Sequence, residues 1–247
     1  WAKKGSATQF DEAEWFITLK KALRMEELIK RHSAIMDHYD PMKRVGLIVD
    51  EWGTWYDVEP GTNPGFLYQQ NTVRDALVAG IHLNIFNNHA ERVKMANIAQ
   101  TVNVLQAMIL TDGPKMLVTP TYHVFEMYKP HQGATLLPVW LDAERYSYKD
   151  DSIPAVSVSA SRGTDGAMTV TLCNLDPSQE RPVQAELRGA SVSEIRGRVL
   201  TGAAINSHNT FDAPETVVPA PFDDHKVTAA GWQTTLPPRS VVVLEMR

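Results

Sequence analysis

The stretch that decides the fold is Val45-Gly-Leu-Ile-Val-Asp-Glu-Trp-Gly-Thr-Trp-Tyr56, in which an apolar run leads into two acids and three aromatic residues. A short apolar run with β-branched residues at both ends predicts a strand that is buried on both faces. Such strands belong to parallel sheets of α/β folds, whose active sites lie beyond the carboxyl ends of the strands. Asp50 and Glu51 occupy that position.

Carboxylates beside aromatic rings at a strand end suggest glycoside chemistry. The faces of Trp52, Trp55 and Tyr56 offer the kind of surface on which sugar rings stack. The spacing alone fits a second interpretation equally well, in which the two acids are solvated side chains of a loop or a helix start.

Composition limits the classes of protein that the chain can belong to. The chain has 247 residues, a net charge of -5 and 43% hydrophobic residues, which is typical of a soluble globular protein. No apolar run is long enough to span a membrane, and lysine and arginine form no basic stripe, so we expect neither membrane nor nucleic-acid partners. The single cysteine, Cys173, excludes an internal disulfide, fits a reducing compartment and is predicted to be a buried strand residue.

The first half of the chain alternates helices with strands. Asp11 and Glu14 form a capping-box pattern that predicts a helix ending at about Tyr39, before Asp40-Pro41. The strand Val45–Val49 follows, then a turn-rich loop. Further elements are predicted at about 66–90 (a helix with Val73, Ala76, Leu77 and Ile81 buried), 92–99 (a strand) and 119–129 (a helix). This alternation predicts a parallel α/β unit.

After about residue 135 the pattern changes to short strands separated by turns. The strand-like runs are Thr135–Leu141, Ala155–Ala160, Met168–Asn174, Val183–Arg188, Glu194–Leu200 and Val241–Met246. Many short strands at this spacing predict a β-sandwich. We therefore expect a boundary near residue 133, with an α/β region at 1–133 and a sandwich at 134–247.

The residues around Glu51 resemble a known family. Asp50-Glu-Trp-Gly-Thr-Trp-Tyr56 is similar to the nucleophile motif of α-L-arabinofuranosidases of glycoside hydrolase family 51. Asp75-Ala-Leu-Val-Ala-Gly80 and His89-Ala-Glu-Arg-Val-Lys-Met-Ala-Asn-Ile-Ala-Gln100 continue the resemblance, and Lys3–Phe10 resembles the stretch that follows the family's sixth strand. The resemblance covers nearly all of residues 1–133 and is weaker in the sandwich.

The resemblance implies a retaining hydrolase of terminal α-L-arabinofuranosyl groups, without a cofactor or metal. Its fold would be a (β/α)₈ barrel followed by a jelly-roll-like β-sandwich, of which residues 1–133 supply about strands 7 and 8. Glu51 falls on the catalytic nucleophile, Gln100 on a side chain that binds arabinose, and Trp55 near the sugar. Family habit further implies a homo-oligomer, and together with the single cysteine it suggests a cytoplasmic protein.

The family's acid/base residue is the main departure. It lies in an Asn-Glu pair, which does not occur in this sequence. A retaining glycosidase needs two carboxyl groups about 5–5.5 Å apart, and Asp50 is expected to point away from Glu51 because adjacent strand residues face opposite sides. We therefore expect a companion polypeptide that carries the N-terminal half of the barrel, made by cleavage or by a split gene.

Two other functions remain open at this stage. One is a non-catalytic carbohydrate-binding or scaffold protein derived from the same fold, and the other is an endo-xylanase or glucanase of the same clan.

The remaining candidate residues have simpler interpretations. His82 and His89 lie seven residues apart on a predicted helix, but no third metal ligand has suitable spacing. The tryptophans outside the motif are predicted to pack in the core; they are Trp15, Trp140 and Trp232. The loop residues His208, His225, Asp223 and Asp224 are predicted to be solvated, without the pattern of a calcium site.

Overall fold

The computed structural model describes residues 4–247, so the first residue of the stretch Lys3–Phe10 lies outside the described residues. The first half consists of helices and short strands. In chain order these are α1 (Glu12–Tyr39), β1 (Leu47–Trp52), a 3₁₀ turn (Pro64–Phe66), α2 (Val73–Asn88), β2 (Val93–Ile98), β3 (Ile109–Asp112), β4 (Lys115–Val118), α3 (Pro120–Tyr128) and a second 3₁₀ turn (Lys129–His131).

The first helix forms as the sequence predicts. Asp11 is its N-cap and accepts from the Glu14 backbone, while the Glu14 side chain accepts from the Asp11 backbone in return. The second helix begins later than predicted, at Val73 rather than near Phe66. The reason is a second capping box, in which Thr72 is the N-cap and Asp75 completes the box.

The strands β1 and β2 pair in parallel, with Leu47 opposite Val93 and Ile48 opposite Met95. The prediction that β1 is buried on both faces was wrong. Leu47 and Val49 pack against the main core, but Ile48 is 45% exposed and Met95 is 55% exposed. One face of the pair lies against the core, and no described element covers the other face, which therefore remains in solvent.

Helix α2 occupies the centre of the molecule. It packs on α1, on α3 and on strands of the second half, so it is buried on nearly every side and not along one stripe only. The predicted contacts Val73, Ala76, Leu77 and Ile81 are all buried. A Cβ atom on Gly80 would lie 2.5 Å from Cys173 Sγ, so this glycine allows the helix to approach the sheet closely.

The second half is built from antiparallel strands. They are β5 (Thr135–Leu137), β6 (Arg145–Tyr148), β7 (Asp151–Pro154), β8 (Val156–Arg162), β9 (Met168–Asn174), β10 (Arg181–Glu186), β11 (Ile195–Leu200), β12 (Ala220–Phe222), β13 (His225–Thr228), β14 (Gly231–Leu236) and β15 (Ser240–Met246). A six-stranded sheet has the order β12-β11-β15-β9-β8-β5, a three-stranded sheet has the order β10-β14-β13, and β6 pairs with β7. The predicted strand at Met168–Asn174 matches β9 at both ends.

One hydrophobic core joins the two halves. Buried side chains of α1 and α2, such as Leu19 and Leu77, belong to the same cluster as Leu172 of β9 and Val242 of β15. The hydrophobic core continues from one half of the chain into the other. A domain boundary near residue 133 therefore stays a prediction.

Four residues that the sequence predicts to be buried can be compared with the structure. Trp15 and Trp232 are buried and Cys173 is fully buried, as expected. Trp140 is 92% exposed, so its placement in the core was wrong. It lies between β5 and β6, in a loop without a regular element to pack on. Across residues 4–247, no helix is long and apolar enough to cross a membrane.

Candidate active site

Asp50 and Glu51 lie at the carboxyl end of β1, where the pairing with β2 is irregular. Val49 pairs with Ala96 and Trp52 pairs with Ile98, so β1 takes three steps where β2 takes two. Such a bulge re-aims side chains and is common beside active sites. Both acids are exposed and Trp52 is buried, so the regular alternation that would turn Asp50 away from Glu51 is interrupted here.

Trp52 and Tyr56 are not available to a sugar, contrary to the sequence interpretation. Trp52 is buried and meets Phe86 edge-on at 5.5 Å and Phe125 in a stack at 5.8 Å. Tyr56 is buried as well, and burial raises the pKa of its phenol. Trp52 belongs to the main hydrophobic core, and the Tyr56 ring is covered by the guanidinium of Arg74.

Trp55 remains half-buried at the surface. The ammonium group of Lys4 lies 4.0 Å from the centre of its ring, the arrangement of a cation–π contact. Trp55 therefore lies at the solvent boundary beside the two acids, with a positive charge held over the ring.

A buried polar network fixes the backbone that follows Glu51. The Thr54 amide donates to Gln106 Oε1 at 2.9 Å, and the Thr54 hydroxyl donates to Asp75 Oδ1 at 2.7 Å. The Tyr56 amide donates to Gln69 Oε1 at 2.8 Å. These partners come from the loop after β1, from α2 and from the loop after β2, so separate parts of the chain hold the segment after Glu51.

Asp75 has two roles in this network. It accepts from the Thr72 amide at 2.7 Å as part of the helix cap, and it accepts from Thr54. Its side chain is fully buried, and burial raises the pKa of the carboxyl group. The N-terminus of α2 is thereby tied to the loop that carries the site.

Arg74 clamps the N-terminal segment onto the same loop. It is almost fully buried, and its guanidinium lies 3.5 Å from the ring centre of Phe10 and 4.0 Å from that of Tyr56. It also donates to the Ser6 carbonyl at 3.2 Å.

Sequence reasoning missed Arg74, Gln69 and Gln106, and it missed the role of Asp75. The Thr72-x-x-Asp75 spacing was the one available signal, because it is a capping-box pattern.

Gln100 lies two residues after the end of β2, the neighbour of β1, and it is exposed. Carboxyl ends of adjacent parallel strands meet at one edge of a sheet, so Glu51 and Gln100 share an edge. Gln100 also lines a cleft of about 740 Å³. The structure thus brings the three predicted site residues, Glu51, Trp55 and Gln100, to this end of the β1–β2 pair.

The histidines and acids set aside earlier have ordinary contacts. His82 Nε2 lies 3.1 Å from the Ala22 carbonyl oxygen, and His89 Nε2 lies 3.0 Å from Glu26 Oε1. Asp223 and Asp224 are exposed. In the part of the chain that the structure describes, no group of three His, Cys, Asp or Glu side chains is arranged to hold a metal.

Comparison with known proteins identifies the family. The family model "Alpha-L-arabinofuranosidase C-terminal domain" matches residues 50–240. The chain is 45% identical to an intracellular exo-α-L-arabinofuranosidase of Bacteroides ovatus over 99% of this chain and 48% of the relative. It is 28% identical to an intracellular exo-α-(1→5)-L-arabinofuranosidase of Streptomyces lividans over 86% of this chain and 35% of that relative.

Solved structures agree with these matches. The family 51 arabinofuranosidase of Xanthomonas axonopodis pv. citri aligns with a TM-score of 0.98 at 52% identity, over 100% of this chain and 50% of that one. An arabinofuranosidase from Thermotoga maritima, solved with arabinose, has the same fold, with a TM-score of 0.79 at 21% identity over 94% of this chain and 49% of that one.

The chain therefore spans about half the length, or less, of the curated relatives it matches. Its fold is confirmed as the C-terminal part of a (β/α)₈ barrel followed by a jelly-roll-like β-sandwich. Since the family model covers most of the chain and a relative matches 99% of it at 45% identity, the chain belongs to the α-L-arabinofuranosidases of glycoside hydrolase family 51.

Proposed function

We propose that this chain forms the nucleophile-bearing part of a retaining glycoside hydrolase that removes terminal α-L-arabinofuranosyl residues from oligo- and polysaccharides. The observation that carries the proposal is the position of Glu51, which is exposed on a bulged strand end beside Gln100 and lies within the matched residues 50–240. The names of its relatives as exo-acting arabinofuranosidases support the substrate class.

The proposed reaction has two steps. The Glu51 carboxylate attacks the anomeric carbon, and the bond to the leaving oxygen breaks while an acid gives that oxygen a proton. The same acid, now a base, takes a proton from water, and the water oxygen displaces Glu51 from the arabinosyl ester. Gln100 donates hydrogen bonds to the sugar hydroxyls, and Trp55 borders the sugar.

The acid/base carboxyl group comes from a companion segment that carries the N-terminal half of the barrel. Two observations support this part of the proposal. The face of β1 and β2 that bears Ile48 and Met95 is apolar and exposed, as expected of a surface that another element covers. The curated relatives are also about twice as long as this chain or longer.

The nucleophile is tested with the assembled enzyme, which contains both halves of the barrel. Glu51→Ala should lower the turnover of an aryl α-L-arabinofuranoside by about 10³-fold or more, because the covalent step is lost. Added azide should restore turnover in this variant, since a small anion fits where the carboxylate was, and the product should be the glycosyl azide of inverted configuration.

The matched control is Asp50→Asn, at the neighbouring exposed acid, which should keep activity within tenfold of the unmodified enzyme. Turnover by Glu51→Ala within tenfold of the unmodified enzyme would overturn the assignment.

A second candidate function is a non-catalytic carbohydrate-binding or scaffold protein. It would apply if the assembled protein, and not only these 247 residues, lacked the family's Asn-Glu pair. Assay of the purified native protein separates the two: hydrolysis of an aryl α-L-arabinofuranoside supports the enzyme, and binding of arabinose-containing saccharides without hydrolysis supports the scaffold. Family membership favours either of these over an endo-xylanase or glucanase.

Two further properties are part of the proposal. The Bacteroides ovatus relative is named intracellular, which supports a cytoplasmic location. Assembly into a homo-oligomer stays a prediction, which sedimentation of the purified enzyme would test.

A further inference from the structure

A cleft next to the proposed site has no role in the reaction described above. Four separate parts of the chain form it: the loop after β1, the loop after β2, the β3–β4 hairpin and a loop of the sandwich. Its lining includes Phe66, Tyr68, Gln100, Asn103, Asp112 and Phe211, which we call the aromatic cleft. Its volume of about 740 Å³ falls within the roughly 300–1,000 Å³ of ordinary ligand sites.

The aromatic residues of this cleft differ in exposure. Tyr68 and Phe211 pack on a small second core formed by Ala107, Leu110 and Leu117, which gives the cleft a supported floor. Phe66 is 70% exposed. An exposed phenylalanine in the lining of a cleft with a packed floor leaves apolar ring surface accessible to whatever enters.

The backbone of the cleft is held in uncommon conformations. Leu67 and Asn103 in the lining, and Leu105 next to it in sequence, have positive φ angles of 52°, 59° and 52°. For residues other than glycine this conformation is strained, persists only where the surroundings enforce it, and clusters at ligand clamps.

Hydrogen bonds between the loops hold these backbone conformations in place. The Leu105 amide donates to the Leu67 carbonyl at 2.9 Å, which joins the loop after β2 to the loop after β1. The Asn103 side chain donates to Thr111 Oγ1 at 2.7 Å and accepts from the Thr111 amide at 2.7 Å, which joins the loop after β2 to the hairpin. The aromatic cleft is therefore a preorganised surface and not a gap between mobile loops.

The chemistry of the lining restricts the ligand. Among the described residues that line the cleft, Asp112 is the only charged one, and the other polar groups are amides and hydroxyls. An anionic ligand would find no cation here, so phosphates and uronic acids are disfavoured. Amides and hydroxyls beside aromatic rings suit a neutral molecule with many hydroxyl groups and apolar ring faces, which describes a neutral saccharide.

Gln100 connects the cleft to the proposed site, because it belongs to the cleft lining and to the strand end beside Glu51. We propose that the aromatic cleft binds the neutral saccharide chain beyond the cleaved bond, with Phe66 stacking on a sugar ring and thereby favouring oligosaccharides over substrates with small leaving groups. This inference rests on the proposed function.

The test compares two substrates on the assembled enzyme, an aryl α-L-arabinofuranoside and arabinotriose. Loss of one stacking ring costs about 1.4 kcal/mol or more, which is about tenfold. Phe66→Ala should therefore lower kcat/KM for arabinotriose by about tenfold or more, mainly through KM, and change the aryl substrate by less than twofold. Phe66→Trp should restore the activity on arabinotriose. Trp140→Ala, which removes a 92% exposed ring from a loop outside the cleft, should change neither substrate.

Three results would overturn the inference. An equal loss on both substrates would indicate a general structural role of Phe66, and no loss on either substrate would indicate no role. The third is dissociation of an oligomer by Phe66→Ala, seen in sedimentation together with an unchanged ratio, which would identify the ring as a contact between copies of the protein.

Calorimetric binding of arabinotriose to the Glu51→Ala enzyme separates this inference from the proposed function, because it needs no turnover. Binding that weakens about tenfold on adding Phe66→Ala supports the cleft even if the unmodified enzyme fails to hydrolyse the aryl substrate. Hydrolysis of the aryl substrate, combined with binding of arabinotriose that does not depend on Phe66, would leave the proposed function intact and overturn the cleft.

Discussion

At the scale of single residues, buried polar side chains fix the backbone that follows Glu51. The hydrogen bond from Thr54 to Asp75 is one of these contacts. Thr54→Val removes the hydroxyl that donates to Asp75 and leaves a buried carboxylate short of a donor. We expect a loss of about 1–3 kcal/mol, or about 2–12 °C in Tm for a chain of this size. Calorimetry of Thr54→Ser, which keeps the hydroxyl, provides the control. Equal melting temperatures for Thr54→Val and Thr54→Ser would show that the bond contributes nothing.

Arg74 makes a second prediction at this scale. Its planar guanidinium stacks between the rings of Phe10 and Tyr56, and a lysine in its place offers neither the plane nor the fork of donors. Arg74→Lys should therefore loosen the segment before α1 while the core of α2 stays protected. Hydrogen exchange measures both regions at once. Uniform loss of protection across the molecule would instead mean that Arg74 stabilises the whole fold.

Residues near Glu51 were predictable only in part. The motif placed Glu51 at a strand end, and the structure agrees. The bulge at Asp50 and Glu51 was not predictable, because it arises from the pairing of β1 with β2 and leaves no local pattern. The partners of Thr54 were not predictable either. Gln106 is 52 residues away from Thr54, and a single glutamine belongs to no sequence pattern that would indicate this contact.

At the scale of elements, two histidines, one buried and one partly buried, connect separate elements. His131, in the 3₁₀ turn after α3, contacts Ser161 of β8 and Thr171 of β9. His82 of α2 contacts the Ala22 carbonyl of α1. Burial lowers the pKa of each imidazole to about 4, and the hydrogen bond to Ala22 offsets part of the effect for His82.

These two histidines predict how stability changes with pH. An imidazole in the unfolded chain has a pKa of about 6.5, so between that value and about 4 the unfolded state binds protons that the folded state does not. Stability should be fully present above about pH 6.5 and fall as the pH drops toward 4. Melting temperatures between pH 7.5 and 4.5 measure this slope. His131→Gln should flatten it, whereas His32→Gln, an exposed position on α1, should leave it as it was. A slope unchanged by His131→Gln contradicts the assignment.

Elements were predictable where the signal is local. The capping box of Asp11 and Glu14 marks the start of α1, and the same pattern at Thr72 and Asp75 marks the start of α2, where the apolar residues of the preceding loop obscured it. Strand β9 is apolar and buried throughout and was found. Strands β12 and β13 were missed because they are short and mostly exposed, so their pairing rather than their composition makes them strands. Strand β14 was missed although Trp232, Thr234 and Leu236 alternate inward along it.

At the scale of the whole molecule, one face of the parallel pair β1–β2 carries apolar side chains that no described part of the chain covers. The prediction that β1 is buried on both faces would hold only if a further layer covered Ile48 and Met95. These two side chains lie opposite each other in the register, so they form one apolar patch and not two isolated exposures. A layer of this kind is what the companion segment of the proposed function would supply.

That patch carries the last prediction. Met95→Asp puts a carboxylate where the companion segment would exclude water, and an unpaired buried charge costs several kcal/mol. Binding of the companion half should weaken by about 100-fold or more, because each 1.4 kcal/mol is tenfold. Titration of one purified half into the other measures this. Met116→Asp is the matched control, because Met116 is 66% exposed on β4, away from the β1–β2 pair, and should bind as before. Equal binding by the two variants would mean that the companion half does not cover this face, and the exposed apolar patch would then need a different partner.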